Sequence, residues 1–390
     1  MDERVVGAPA LTARAVERLG LPYLGRLVDE GYFVAQAVGV TAEEQDAYAA
    51  FAKTCYADYA AAVDDLVAGP YREEFGLSPR LWALAADTWR HRTRHPHLFG
   101  RFDVAGVVDG TPARLIEFNA DTATVLAEAA LVQDAQIGRG RTWNHLLPEL
   151  ADGLRALASA RPEADRNVVV TTLGHPEDDD NARVLLRAAE RAGLYAELAH
   201  LPSVHFAPGD GVYRQLGPGA WTRFGILVKL FPWDWVDAEE PALLDDLGDL
   251  LRDGHLTVAN PPYASLMQSK ATLAELHRRH RGAERYLAAG WGATPAVATG
   301  AYVTKPLFGR EGENVTVHTP DGAPLASVDG DYGHQARIWQ ARTALPADNT
   351  GNTYQAGVYL ANAVPCALAW RRRDGLIVDE DSEFVAGFVG

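Results

Sequence analysis

Apolar residues recur at intervals of three and four through roughly the first ninety positions, which predicts a helical N-terminal region. Thr41-Ala-Glu-Glu44 is a capping box, in which a hydroxyl and a carboxylate three residues apart satisfy the free N–H groups of a helix start. The apolar stripe Phe51, Cys55, Tyr59 and Val63 follows it. From Phe99 the pattern changes to strands, over residues 102–108 and 113–119, joined by a turn at Asp109-Gly110-Thr-Pro112. The apolar run 123–132 predicts a buried helix.

A clearer unit begins at Asn167. Residues 168–172 are an unbroken apolar and β-branched run, 180–192 are helical, and 195–201 form a second strand. Such a βαβ unit has parallel strands and a right-handed crossover. Strand 224–231, helix 241–251, strand 256–260 and helix 264–279, carrying Lys270, continue the alternation. Residues 297–390 read mostly as strands and turns, and the Pro/Gly-rich stretch 208–219 as a surface hairpin or loop.

Composition narrows the function classes. A chain of 390 residues with 47% hydrophobic content has room for two or three lobes around substantial cores. The formal charge of −16 argues against nucleic acid or an anionic membrane surface as partner, and tolerates a cationic amine. With Cys55 and Cys366 alone, no disulfide framework or cysteine-rich zinc site is expected, and reduced cytoplasm is the natural compartment. The N-terminus shows no basic region followed by an apolar one, and no apolar run is long enough to span a bilayer.

Two stretches carry chemistry. Arg101-Phe-Asp103 is followed by Glu117-Phe-Asn119-Ala-Asp121-Thr122-Ala-Thr124. Alternate residues of a strand face the same way, so Glu117 and Asn119 can share one hard cation with Asp103, while Arg101 faces phosphate. Much later, Tyr302-Val-Thr-Lys305-Pro-Leu-Phe-Gly309-Arg-Glu-Gly312 delivers a lysine and then a loop whose glycines permit close approach of backbone N–H groups to phosphate. Neither a Walker A loop nor a GxGxxG opening is present. His91, His95 and His97 cluster without a cysteine, which favours surface or capping roles over zinc. His175 stands at the end of a βα strand, where ligands often bind.

These segments resemble the synthetase part of the glutathionylspermidine synthase family, ATP-grasp amide ligases. The resemblance includes Glu177-Asp178, Lys229-Leu-Phe-Pro-Trp233-Asp-Trp235, Asn260-Pro-Pro-Tyr263 leading to Ser269-Lys270, and Gln355 with Arg371 sixteen residues on. It implies an α/β, permuted ATP-grasp fold in which the Glu-x-Asn strand precedes the nucleotide lysines, with a Rossmann-like βαβ pre-ATP-grasp lobe. The implied organisation is a helical region 1–95, a metal- and phosphate-binding part 96–165, the βαβ lobe 166–260 and an ATP-grasp lobe 261–390. The bifunctional members carry an amidase domain ahead of the synthetase; here Arg101 comes too early for one, and Cys55 reads as a buried structural thiol.

The resemblance also implies roles. Asp103, Glu117 and Asn119 would hold Mg2+. Lys270, Lys305, Gly309, Gly312, Gln340 and Gln355 would contact ATP, and Arg101 and Arg371 would face the transferring phosphate. The triple arginine 371–373 leaves the register of Arg371 open by one residue, and Gln340 reads equally as the polar residue of a core strand. Thr122 and Thr124 match hydroxyl positions beside the acceptor carboxylate, although threonine is also a favoured strand residue. Glu177 and Asp178 match peptide-substrate positions, and acids before a helix equally serve as caps. The expected reaction joins a small-molecule carboxylate, of an amino acid or short peptide, to an amine with ADP release. A silent ATP-binding module and an acyl kinase that stops at the acylphosphate are the alternatives.

Overall fold

The computed structural model describes all 390 residues. A seven-stranded sheet runs in the order Val5–Gly7, Phe33–Val40, Glu383–Val389, Val364–Asp374, Asn352–Ala361, Phe99–Ala105 and Arg114–Asn119. Neighbours are antiparallel except Phe33–Val40 and Glu383–Val389, which are parallel. The expectation of a purely helical first segment is therefore corrected. Helices Ala13–Glu17, Pro22–Asp29, Ala42–Ala68 and Pro79–Arg90 are present, but Phe33–Val40 is a strand between them. Its composition, FVAQAVGV, favours β structure, while its alternation is too weak to announce it.

The capping box forms as written: Glu44 N donates to Thr41 Oγ1 (3.2 Å) and Thr41 N to Glu44 Oε2 (2.9 Å). The helix it starts buries Tyr48, Ala52, Cys55, Tyr59, Ala62 and Val63 against the central sheet. Spacings of three and four keep those side chains on one face.

The βαβ unit is the core of a four-stranded parallel sheet, ordered Thr257–Ala259, Ile226–Lys229, Val168–Thr172, Ala196–His200. Its helix, Pro176–Arg191, starts earlier than the apolar period suggested, because proline fits a first turn whose N–H would be unbonded anyway. A five-stranded antiparallel sheet is ordered Ala289–Gly290, Arg337–Ala341, Tyr302–Pro306, Thr316–His318, Pro324–Ser327. The hairpin foreseen near 208–219 lies in a small sheet of His205–Ala207, Gly211–Gly217 and Ala220–Phe224. Residues 261–390 thus divide between the central and five-stranded sheets.

Two predicted helices are modified. The run at 123–132 becomes helical only from Leu126, whose N–H is capped by Asn181 Oδ1 (2.8 Å), and passes through a wide π-type turn at Glu128–Val132 into Gln133–Ile137. The helix expected over 264–279 is split into Ala264–Gln268 and Ala271–Arg279. At the break the Lys270 N–H leaves the helical pattern and donates to Leu307 O (3.0 Å), fastening the break to the end of strand Tyr302–Pro306. No helix is long and apolar enough to cross a membrane.

Candidate active site

The strand pair Phe99–Ala105 and Arg114–Asn119 sets Asp103 opposite Glu117 and Arg101 opposite Asn119. Arg101 grips Asp103 with both ends of its fork, Nε to Oδ1 (2.6 Å) and Nη2 to Oδ2 (3.0 Å), and its Nη1 donates to Thr124 O (3.0 Å). Asn119 Nδ2 donates to Asp103 Oδ2 (3.1 Å), which leaves the Asn119 carbonyl oxygen for another partner. On the neighbouring strand Gly357 faces Asp103, and a Cβ there would stand 3.0 Å from Arg101 Cδ. The absence of a side chain at 357 leaves room for the stem of Arg101.

The lysines converge on Glu117 from two other parts of the chain. Lys270 Nζ and Lys305 Nζ both lie 3.5 Å from Glu117 Oε2. Lys305 Nζ also donates to Ile116 O (3.0 Å), and Lys270 Nζ to Gly309 O (2.7 Å). Burial alone would raise the Glu117 carboxyl, but the ammonium groups of Lys270 and Lys305, with Arg101, outweigh it and hold the carboxyl down to about 2. Burial lowers Lys305 to about 8 despite the attraction of Glu117.

These groups line one cavity of about 820 Å³ together with Thr122, Thr124, Glu177, Gly309, Gly312, Gln340, Gln355 and Arg371; Asp178 is not on its wall. Thr122 and Thr124 lie in the loop after the metal-type strand, outside any strand, so strand preference does not account for them. Gln340 is buried and donates to Leu115 O and Ile116 O (3.4 and 3.3 Å), tying the five-stranded sheet to the central one. Gln355 and Arg371 are directly opposite each other, so their sixteen-residue separation is the register of a hairpin. Arg371 Nη2 donates to Asp379 O and Ser382 O (3.0 and 2.8 Å), and its guanidinium stands over the Tyr32 ring. Arg372 pairs with Glu383 and Arg373 with Asp379.

The acids at the start of helix Pro176–Arg191 divide their work. Asp179 accepts from Thr172 Oγ1 (2.7 Å), Asp180 caps Leu24 N (2.9 Å) in another helix, and Asn181 caps Leu126. Glu177 and Asp178 are spared these duties. Burial, with Glu311 and Glu128 nearby, pushes Glu177 up to about 8, and burial raises Asp178 to about 6. The loop 308–314 is docked: Arg310 Nη2 donates to Asp234 Oδ1 (2.7 Å) and Tyr332 N to Asn314 Oδ1 (2.7 Å). Gly312 has φ +74°, and a Cβ there would meet Val378 O at 2.7 Å, so glycine serves both conformation and packing.

The histidine expectation is corrected in part. His91 caps the end of helix Pro79–Arg90, but His95 and His97 are buried, and burial pushes each down to about 4. His97 Nε2 lies 2.6 Å from Ala120 O, a structural contact. Cys55 is buried, and burial pushes its thiol up to about 12. No group of three His, Cys, Asp or Glu side chains is arranged to enclose a metal. Two carboxylates and an amide oxygen nevertheless suit magnesium, which takes few protein ligands and completes its octahedron with phosphate oxygens and water.

Pattern reading missed Gln268 and Gly357, and placed Asn260 in a motif without giving it a role. Asn260 Oδ1 accepts from Leu98 N and Phe99 N (2.8 and 3.1 Å), and its Nδ2 donates to Phe99 O, Ala120 O and Asp121 O (2.8, 3.1 and 2.9 Å). Lys229 Nζ and Trp233 N donate to the two oxygens of Asp121 (2.6 and 2.7 Å). The motifs around 229 and 260 therefore brace the metal-type strand.

The mixed α/β architecture has a glutathione-synthetase-like fold. A glutathione synthetase-like effector from Globodera pallida, in its apo form, superposes with a TM-score of 0.53 at 9% identity, covering 91% of this chain and 89% of its own; the likeness is one of fold. The chain belongs to the family described as glutathionylspermidine synthase preATP-grasp, whose profile matches residues 7–390. Relatives include a Haemophilus influenzae protein carried under the name acid–amine ligase, 26% identical over 343 residues, or 83% of this chain and 82% of that one. Trypanothione synthetase of Crithidia fasciculata is 24% identical over 80% of this chain and 50% of its own length. The bifunctional glutathionylspermidine synthetase/amidase of Escherichia coli is 22% identical over 79% of this chain and 52% of its own length. The chain thus spans about half of these two larger relatives.

Proposed function

We propose that this protein is an ATP-dependent carboxylate–amine ligase that forms an amide through an acylphosphate and releases ADP and phosphate. One observation carries the reading: Glu117 lies between Lys270 and Lys305, 3.5 Å from each, beside the Arg101–Asp103 pair. Three cations around a half-buried carboxylate form a site that an anionic triphosphate with its cation can enter by exchange of partners. Phosphate oxygens take the lysines, and Glu117, Asp103 and Asn119 are freed to hold magnesium. The metal would supply neutralisation of charge on the transferring phosphoryl group.

The acceptor carboxylate sits beside Thr122 and Thr124 in this reading. One of its oxygens forms a bond to the γ-phosphorus as the bond from that phosphorus to ADP breaks, while Arg101, Lys270 and Lys305 offset the charge. Arg371 faces the same phosphoryl group. The amine then attacks the acyl carbon, loses a proton, and phosphate departs with the C–O electron pair. Glu177, which lines the cavity, is assigned to a cationic group of the substrate, an amino acid, short peptide or amine, while Asp178, off the cavity wall, acts at most through its charge. Positioning and charge stabilisation carry the catalysis, with no covalent enzyme intermediate.

The test is ADP release with Mg·ATP and a panel of amino acids and glutathione, each with spermidine or another primary amine, with mass spectrometry of the products. Amide and ADP in equal amounts support the ligase. ADP without amide, trapped as a hydroxamate by hydroxylamine, indicates an acyl kinase; silence across the panel favours the ATP-binding module.

A further inference from the structure

Gln268 ends the short helix Ala264–Gln268, just before the break that carries Lys270. It is 4% exposed, yet it lines the cavity. Its Oε1 accepts two backbone hydrogen bonds, from Ala120 N (2.8 Å) and Asp121 N (3.1 Å). Two N–H donors on one terminal atom fix that atom as the oxygen, so the opposite end of the amide is the NH2 group. No protein atom accepts from Nε2, and it is not among the fully enclosed unpartnered atoms. Its open side is therefore the cavity.

The peptides that hold Gln268 join the metal-type strand to the threonine loop. Ala120 and Asp121 follow Asn119 and precede Thr122. Gln268 takes their N–H groups and Asn260 takes their carbonyls, so the segment is held from both sides. A buried amide donor that is oriented by rigid backbone and unpaired within the protein is suited to an acceptor that arrives with substrate.

We propose that Gln268 Nε2 donates a hydrogen bond to an oxygen of the acceptor carboxylate, holding it for phosphorylation. This rests on the ligase reading above. A neutral amide suits the task, because it binds a carboxylate without competing with the lysines for phosphate.

Gln268→Glu tests it, since the variant keeps an oxygen for Ala120 N and Asp121 N and replaces the free donor with an acceptor. With the carboxylate–amine pair of the panel that gives most ADP, kcat/KM for the carboxylate should fall about 10- to 100-fold, the loss of a charge-assisted hydrogen bond. KM for ATP should stay within about twofold, since uniform binding of nucleotide is untouched. Lowering the pH should recover part of the loss, because the introduced carboxyl, once protonated, is again a donor; the wild type should show no such recovery. Gln268→Leu, which removes both ends, should lower thermal stability as well. Unchanged kcat/KM for the carboxylate in Gln268→Glu, or an equal rise in both KM values, overturns the assignment. Glu117→Gln, run alongside, separates the two claims: its inactivity with an unaffected Gln268→Glu sinks this inference alone, whereas ADP formation unaffected in Glu117→Gln, or no ADP from the wild type with the panel, sinks the ligase reading and this inference with it.

Discussion

Removing a carboxylate from water is costly, and Glu117 offsets the cost with ammonium groups on two sides, which makes it a keystone of the ligand-free site as well as a proposed metal ligand. Glu117→Gln should reduce ADP formation about 100-fold or more, because a metal site with few protein ligands tolerates no loss. It should also destabilise the ligand-free protein by about 1–3 kcal/mol, discounted for the open cavity, by leaving Lys270 and Lys305 without a counterion. Saturating Mg·ATP should restore much of that in a thermal-shift assay, since phosphates resupply the charge. Lys305 adds a pH dependence. Its folded value is lowered to about 8, so its charged fraction falls as pH rises through that point. Nucleotide affinity measured by calorimetry should weaken from pH 7 to 9, and Lys305→Arg should flatten that slope. Among single residues, Arg101, Asp103, Glu117 and Asn119 could be grouped from sequence because they lie close together on adjacent strands with a period of two. Gln268 could not, because its partners are backbone groups nearly 150 positions away. Gly357 gave only the general signal of a glycine in a strand, with nothing to say that Arg101 occupies the space.

At the level of elements, loop 308–314 is fastened by the Arg310–Asp234 pair and by Asn314 accepting from Tyr332 N. The loop whose glycines permit close approach of backbone N–H groups to phosphate is thus held by side-chain contacts at Arg310 and Asn314. Arg310→Ala should raise the rate of proteolytic cleavage within 308–314 about 5- to 10-fold in the ligand-free protein, the effect of losing one partly buried ion pair on local opening. A cleavage rate equal to the wild type would show that the Asn314 contact suffices. Long elements with strong periodicity, such as Ala42–Ala68 and the βαβ unit, were readable because local patterning and tertiary packing agree there. Phe33–Val40 was not, since it pairs with strands on both sides and lacks clear alternation. The split at Lys270 was also hidden: its sequence is compatible with one helix, and only the bond to Leu307 O, a tertiary contact, shows why the helix stops.

For the whole molecule, charge accumulates where helix Pro176–Arg191, loop 308–314 and the helical turn Glu128–Val132 meet. Glu177 there is raised to about 8 by burial, Glu311, Glu128 and Asp178, with Arg371 opposing. An unfolded glutamate titrates near 4.3, so between that value and about 8 the folded state binds more protons, and stability must fall as pH rises. Glu177→Gln should remove this slope, leaving the variant's melting temperature about 2–4 °C above wild type at pH 8 and close to it at pH 5. Equal melting curves at both values would show that the carboxyl is already neutralised by another route. The central sheet adds a constraint of a different kind, because Phe33–Val40 reaches Asn352–Ala361 and Phe99–Ala105 only through Glu383–Val389 and Val364–Asp374. During synthesis on a ribosome the N-terminal strands must wait for the last strands to emerge before the sheet can close. A nascent chain stalled short of residue 383 would lack the strand that joins the N-terminal pair to the hairpin bearing Gln355 and Arg371. Assembly of the cavity is thereby tied to the emergence of Glu383–Val389, and truncation before residue 383 should yield unassembled protein rather than a slightly shortened enzyme.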